Sequence, residues 1–272
     1  MKSSIRIYLT ILVLCLCSSA GLRAQSAAEA YQAGDYKTAI RIWEEERDTK
    51  GVSTELFYNL GNAYAKSGNQ GGAVLNYEKA LRIDPSDSRA RNNLRYTDNL
   101  VLLANETFTD GKNMDPTPAD PSFFENLGDK VSQFGSDTWA VWALVMFILC
   151  VGCCAAYFFS PKVSVRKVGF FGGGAMLLLC ALCIVCSVVS KRHALSKDVC
   201  VLMAAESSLM LEPDEASKTV GTPLSAGTRF KVMSVKKGAD GTQWTQVYLN
   251  AEYSGWIPSS DVAVVTVPQL GE

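Results

Sequence analysis

Two long stretches without a charged residue, 139–160 and 168–190, constrain this chain most; the seven residues between them, 161–167, include Lys162, Arg166 and Lys167. Each stretch exceeds twenty residues. At about 1.5 Å per residue, a helix of that length crosses a hydrocarbon layer of roughly 30 Å. So short a connection joins only antiparallel neighbours, and the pair reads as a transmembrane helical hairpin. The competing reading, two buried helices of a soluble core, is disfavoured because globular helices keep a polar face. A hairpin returns the chain to the side it came from, so the segments before and after it share one side of a membrane.

The leading segment sets which side. Residues 1–24 have the zones of a secretory signal peptide: Lys2 and Arg6 at the basic end, an apolar run over 7–17, and a small-residue tail before Gln25. Residues beyond about 25 are therefore expected to be exported. The basic loop 161–167 agrees, since positive charge favours the cytoplasm, although Lys191, Arg192 and Lys197 follow the second span. Six of nine cysteines (Cys150, Cys153, Cys154, Cys180, Cys183, Cys186) lie in the apolar runs and two in the leader. Only Cys200 is left to the soluble parts, which leaves them an intermolecular disulfide at most. A net charge of −1 over 272 residues provides no field for nucleic acid.

Residues 25–104 are polar and helical in pattern, with an internal repeat. Counting Thr54 as position 1, Phe57, Leu60, Gly61, Tyr64, Ala73, Tyr77, Ala80 and Pro85 occupy positions 4, 7, 8, 11, 20, 24, 27 and 32, the tetratricopeptide pattern. Aromatic and aliphatic residues at this spacing fill the gap between two antiparallel helices, small residues mark their close approach, and Pro85 ends the second. A weaker copy lies one period upstream, where Gly34, Ala39 and Trp43 precede Gly68, Ala73 and Tyr77 by thirty-four residues. Residues 88–103 resemble a first helix without its partner, as in a capping helix. About two repeats and a cap fall short of the three usually needed for stability, so the solenoid is expected to lean on a partner, on itself or on the membrane.

Residues 105–121, with Pro116, Pro118, Pro121, Asp110, Asp115 and Asp120, read as an extended linker. Over 122–136, Phe123, Phe124, Leu127, Val131 and Phe134 recur at helical steps, predicting an amphipathic helix on the membrane surface rather than on the repeats. Trp139 and Trp142 then sit at interfacial depth. In the spans, Gly152/Ala156 and Gly169/Gly173 are pairs of small residues that let helices approach. The cysteines there read as packing residues, because thiolates in lipid are costly and no histidine accompanies them.

Residues 198–265 lose the helical period and show short runs broken by turn residues, which predicts a small all-β barrel. The order of Leu224, Gly227-Thr228, a strand, Trp244-x-x-Val247 and Gly255-Trp256-Ile257 resembles the bacterial SH3-like family. That resemblance makes Trp244 and Trp256 barrel anchors and implies a module for cell-wall peptides or proteins. The expected fold class is thus a multi-domain membrane protein: an all-α tetratricopeptide solenoid, a two-helix transmembrane hairpin and a small all-β SH3-like barrel.

No catalytic constellation emerges. His193 stands beside the second span without an acidic or nucleophilic partner. Asp84 and Asp87, like the linker aspartates, lack calcium-loop spacing; no metal or cofactor is expected. Asn105-Glu106-Thr107 fits a glycosylation acceptor. Binding has more support. Tetratricopeptide grooves are lined from positions 2, 5, 9 and 12, here Glu55, Tyr58, Asn62 and Ala65, with Arg89, Asn92 and Tyr96 from the capping helix. Asn59 and Asn93 share position 6. Tyr58, Asn59, Asn62, Arg89 and Asn93 form the candidate peptide groove, with Arg89 and Asn62 foremost; a solvated polar face is the alternative.

The full order of segments resembles the BatE-like tetratricopeptide proteins of the Bacteroides aerotolerance operon families. The resemblance implies a non-enzymatic scaffold in the bacterial inner membrane, with both soluble domains periplasmic. It further implies membrane-anchored von Willebrand-factor-type Bat proteins and a MoxR-type ATPase as neighbours, in envelope stress tolerance. Partners are then proteins and membrane lipid, with peptidoglycan as the target in the alternative reading of a cell-wall sensor.

Overall fold

In the computed structural model, which describes residues 26–109, 117–120, 122–195, 198–238 and 241–267, with the backbone alone at 108, 109, 124, 125 and 193, short polar side chains start the first four helices. Ser26 caps α1 (Ala27–Gln32), Asp35 caps α2 (Tyr36–Lys50), Ser53 caps α3 (Thr54–Lys66) and Asn69 caps α4 (Gln70–Ile83), each accepting a backbone N–H from the first turn. Such a cap contributes about 0.5–2 kcal/mol. Ala39, Trp43, Phe57, Leu60, Ala63 and Ala80 are buried together between the helices. The Gly61 Cα lies so close to the Tyr77 ring that a Cβ there would sit 2.5 Å from it. The signal expected over 1–24 lies outside the described residues.

The next helix, α5 (Ser88–Thr109), runs past the capping helix expected to end near residue 103 and takes up the start of the expected linker. Its last turns are held by burial: Asn105 is 2 % exposed. Its side-chain amide donates to Thr228 Oγ1 at 3.0 Å and its Oδ1 accepts from Ser225 N at 2.7 Å. Asn105 is therefore not an accessible glycosylation acceptor. Further along, Ala119 N donates to Leu249 O and Asn250 Nδ2 to Thr117 O, so residues 117–120 lie strapped against a sheet turn.

After that strap, α6 (Phe123–Ser132) packs against the second of the two long helices that follow it. Phe123, Leu127 and Phe134 stay exposed. The two helices that follow, α7 (Ser136–Phe159) and α8 (Val163–Leu195), are long and apolar enough to cross a membrane, and only 6 % and 11 % of their apolar windows are buried within the chain. Residues 163–167, expected in the loop, instead form the first turns of α8. Lys162 N donates to Ser160 Oγ and Arg166 N to Lys162 O, so the helix starts at once. Gly169 seats on α7, where a Cβ would meet Cys153 O at 2.6 Å, whereas Gly152 faces open space. Of the two small-residue pairs, only Gly169/Gly173 lies in the seam. Cys150 Sγ and Cys180 Sγ each donate across it to a carbonyl, of Gly173 and Ala143.

The remaining chain forms one antiparallel sheet: β1 (Val199–Leu202), β2 (Glu206–Met210), β3 (Thr219–Ser225), β4 (Arg229–Lys237), β5 (Gln243–Tyr248), β6 (Ser254–Pro258) and β7 (Val262–Val264), in the order β3-β2-β6-β5-β4-β1-β7. Leu202, Leu209, Leu224, Phe230, Val247 and Ile257 fill its inner face. Trp244 is fully buried and Trp256 is 7 % exposed, with the Lys236 ammonium over the Trp256 ring. Cys200 is wholly buried, and burial pushes its thiol up to about 12. The intermolecular disulfide left open to it by elimination is thus blocked by packing.

The repeats lean on this sheet. Ala73, Val74, Leu75, Tyr77 and Leu94 share one buried cluster with Val201 and Val265; each large aliphatic buried there contributes about 1.5–3 kcal/mol. Contact is closest at Gly71, where a Cβ would stand 2.7 Å from Leu202 O. Gly227, at φ +94°, lies against Val101 and Gln70. Gly71→Val is expected to lower the chain's stability in detergent by about 1–3 kcal/mol, the cost of forcing atoms into a packed seam. Gly128→Val, at a helical glycine with open space around it, is the control. Equal midpoints in thermal circular dichroism would show that the seam does not hold the modules together.

Candidate functional site

The pitch of α3 places Tyr58, Asn62 and Ala65 along one face, and the pitch of α5 places Asn93, Tyr96 and Leu100 opposite them. Between the two lies a cleft of about 520 Å³, also lined by Tyr31, Lys66, Gln70, Tyr77 and Thr97. This is the concave face expected for the groove. An amide cluster sits on its floor. Asn62 Oδ1 accepts from the Tyr77 hydroxyl and from Asn93 Nδ2, each at 2.8 Å. Burial above all pushes the Tyr77 phenol up to about 12, which keeps it a neutral donor. Since both donations converge on one oxygen, Asn62 Nδ2 and Asn93 Oδ1 remain as a donor and an acceptor for a bound chain. Gln70 Oε1 is buried at the cleft wall with no hydrogen-bond partner among the described residues, and a buried acceptor left so costs free energy.

Two of the five expected groove residues do not belong to this cluster. The Arg89 guanidinium is occupied. It reaches Glu55 Oε2 and Asp87 Oδ2 at 2.9 Å each, and it stacks 4.6 Å from the Tyr58 ring centre. Hydrogen bonds from Arg89, together with the backbone N–H groups of Arg89 and Ala90, hold the Asp87 carboxyl below its usual range. Arg89 orients Tyr58 rather than waiting for a carboxylate. Asn59 is half-buried beside the groove and does not line it. Conversely, Tyr31, Gln70 and Leu100 went unnamed in the sequence. Tyr31 was findable: one period upstream of Ala65, it holds groove position 12 of the partial repeat. Gln70 and Leu100 carry no such mark, because only the third dimension brings them to the cleft. The His193 side chain lies outside the described ones.

Residues 54–87 match the tetratricopeptide repeat family. This stretch is a tetratricopeptide repeat. No curated protein and no solved structure matched the chain. Such repeats are commonly protein-interaction folds, and the cleft here has aromatic walls and an amide floor.

The outer face of the tetratricopeptide groove is coupled to the sheet by charge. Arg229 on β4 bonds Asp98 Oδ2 at 2.8 Å and Glu78 Oε1 more closely still. Burial works against the Arg229 charge, but the two carboxylates together outweigh it and raise its pKa. Asp98 fares otherwise, because burial outweighs its share of the cation. Burial, opposed by Arg229 and reinforced by Glu78, pushes its carboxyl up to about 6. In the unfolded chain it titrates near 3.9. The stabilisation from this proton is complete below about pH 4 and is lost as pH rises through about 6. Asp98→Asn should therefore flatten the fall in melting temperature between pH 4 and 7 relative to the wild type. Parallel curves for the two proteins would refute the assignment.

Proposed function

We propose that the chain is a non-enzymatic scaffold, anchored in a bacterial inner membrane by α7 and α8, whose tetratricopeptide cleft holds an extended segment of a partner protein. One observation carries this reading: the cleft that Tyr58 and Tyr96 line also holds the bonded Asn62–Asn93 amide pair and the buried Gln70 Oε1, without a partner among the described residues, polar groups suited to the backbone of a peptide. The exposed apolar surface of α7 and α8, including Val141, Leu144, Phe147, Ile148, Leu178 and Leu182, supports the membrane anchor, since soluble proteins rarely leave so large a patch uncovered. The signal-like leader supports a periplasmic position for the repeats and the sheet.

The sequence order Trp244-x-x-Val247 and Gly255-Trp256-Ile257 supports a bacterial SH3-like module, and both tryptophans are buried in the sheet. Because the repeats cover one side of it, its role in this reading is to brace the groove. The order of segments supports membrane-anchored von Willebrand-factor-type Bat proteins as partners, in aerotolerance. The alternative is a cell-wall binder, favoured by the resemblance of the Gly255-Trp256-Ile257 end to cell-wall modules; sedimentation of the full chain with peptidoglycan distinguishes it.

A photo-cross-linking residue at position 96, in intact membranes, should give a discrete protein adduct. Asn93→Ala should weaken that adduct about five- to tenfold, the equivalent of one or two hydrogen bonds. An adduct indifferent to Asn93, or none at all, would sink the groove reading. For the membrane arrangement, periplasm-active reporters fused after Asp120, Lys162 and Glu272 should read active, inactive and active. Activity after Lys162, or none after Glu272, would overturn it.

A further inference from the structure

Where α4, α5, α6, the end of α8 and the sheet meet, a second cleft opens. Its volume is about 340 Å³, within the range of about 300–1,000 Å³ for ligand pockets. Three arginines (Arg82, Arg91, Arg229) and three carboxylates (Glu78, Asp129, Asp198) line it, so it is neutral in sum though dense in both signs. Arg229 is committed to Glu78 and Asp98. Arg82 is buried, 3.9 Å from Asp198, and it donates to Ala194 O at 3.4 Å. Arg91 spends one of its donors on Pro85 O, and a guanidinium has five.

Ser190 is the independent sign of a ligand. It is 1 % exposed, its hydroxyl has no hydrogen-bond partner among the described residues, and it lines this same cleft. It is also the last residue of the second apolar run, followed directly by Lys191 and Arg192. At the same end of the hairpin, Ser187 Oγ donates to Ser136 O and Trp139 Nε1 to Val131 O, which fixes the two helices and α6 where the chain leaves the hydrocarbon. The cleft thus opens at headgroup depth.

We propose that this cleft holds the headgroup of phosphatidylethanolamine, its phosphate taken by Arg91 and the Ser190 hydroxyl and its ammonium by the side bearing Asp129 and Asp198. This rests on the membrane-hairpin reading. A zwitterion suits a wall whose charges already balance, whereas a free phosphate or an anionic headgroup would bring in charge that nothing compensates. Guanidinium and hydroxyl donors to a phosphate oxygen are the strong, charge-assisted kind.

The test is native mass spectrometry of the full chain released from nanodiscs of equal phosphatidylethanolamine and phosphatidylglycerol content with matched acyl chains. One phosphatidylethanolamine per chain is expected, retained at least about fivefold over phosphatidylglycerol. Arg91→Gln should reduce retention about tenfold and Ser190→Ala about threefold, as loss of a charged and of a neutral donor to the phosphate predicts. Equal retention of the two lipids by the wild type, undiminished phosphatidylethanolamine in both variants, or displacement of the lipid by inorganic phosphate would overturn the proposal. The wild-type comparison needs no variant, so it decides even if Arg91→Gln fails to fold. Alkaline carbonate extraction separates the two readings. A chain released from membranes ends the hairpin and the site together; a chain retained in membranes without the lipid ends the site alone.

Discussion

The close approach of α4 to the sheet is the constraint on which the rest of the structure depends. Two glycines, Gly71 and Gly227, let a helix and a strand turn come within backbone contact, and the surrounding Val74, Leu75, Leu94, Val201 and Val265 exclude water from the seam. Burial there sets the Arg229 ion network apart from a pair on an open surface, which contributes little, and it also pushes the Asp98 carboxyl up to about 6. The repeats, too few to be stable as a free solenoid, gain from the sheet the surface that a third repeat would otherwise supply.

That seam decides which faces remain for binding. The sheet covers the convex side of α4 and α5, so the concave cleft with Asn62 and Asn93 stays open while the outer face is lost to partners. It also settles the fate of several residues whose local sequence suggested exposure. Asn105 sits in an acceptor motif but ends up bonded to Thr228 and Ser225. Cys200 remains the lone thiol of the soluble part yet is sealed within β1. Arg89 looks like a groove cation by position, and the carboxylates of Asp87 and Glu55 have already claimed it.

The hairpin adds a geometric consequence. Its ends return to one side, so the repeats and the sheet are joined twice, once through the chain at α6 and once through the seam. The groove therefore belongs to one braced body rather than to one of two tethered modules acting through a raised local concentration. The junction where that body meets the helices is where Ser190 and the arginines converge.

The sequence by itself determined what depends on local periodicity. The spacing of Phe57 to Pro85 within one thirty-four-residue repeat specifies the paired helices, the uncharged runs specify two long apolar helices, and the alternation after residue 198 specifies strands. It also located Tyr58, Asn62 and Asn93, because a groove position follows from helical pitch and repeat register alone. Only the tertiary structure decided the docking of repeats on sheet, the pairing of Arg229 with Asp98 and Glu78, the displacement of Asn59 and Arg89 from the groove, and the cleft at Ser190. The contacts between repeats and sheet join residues more than a hundred positions apart that no period relates, as Arg229 with Glu78 and Asp98 shows. They arise from the fit of two surfaces, which one-dimensional pattern does not encode.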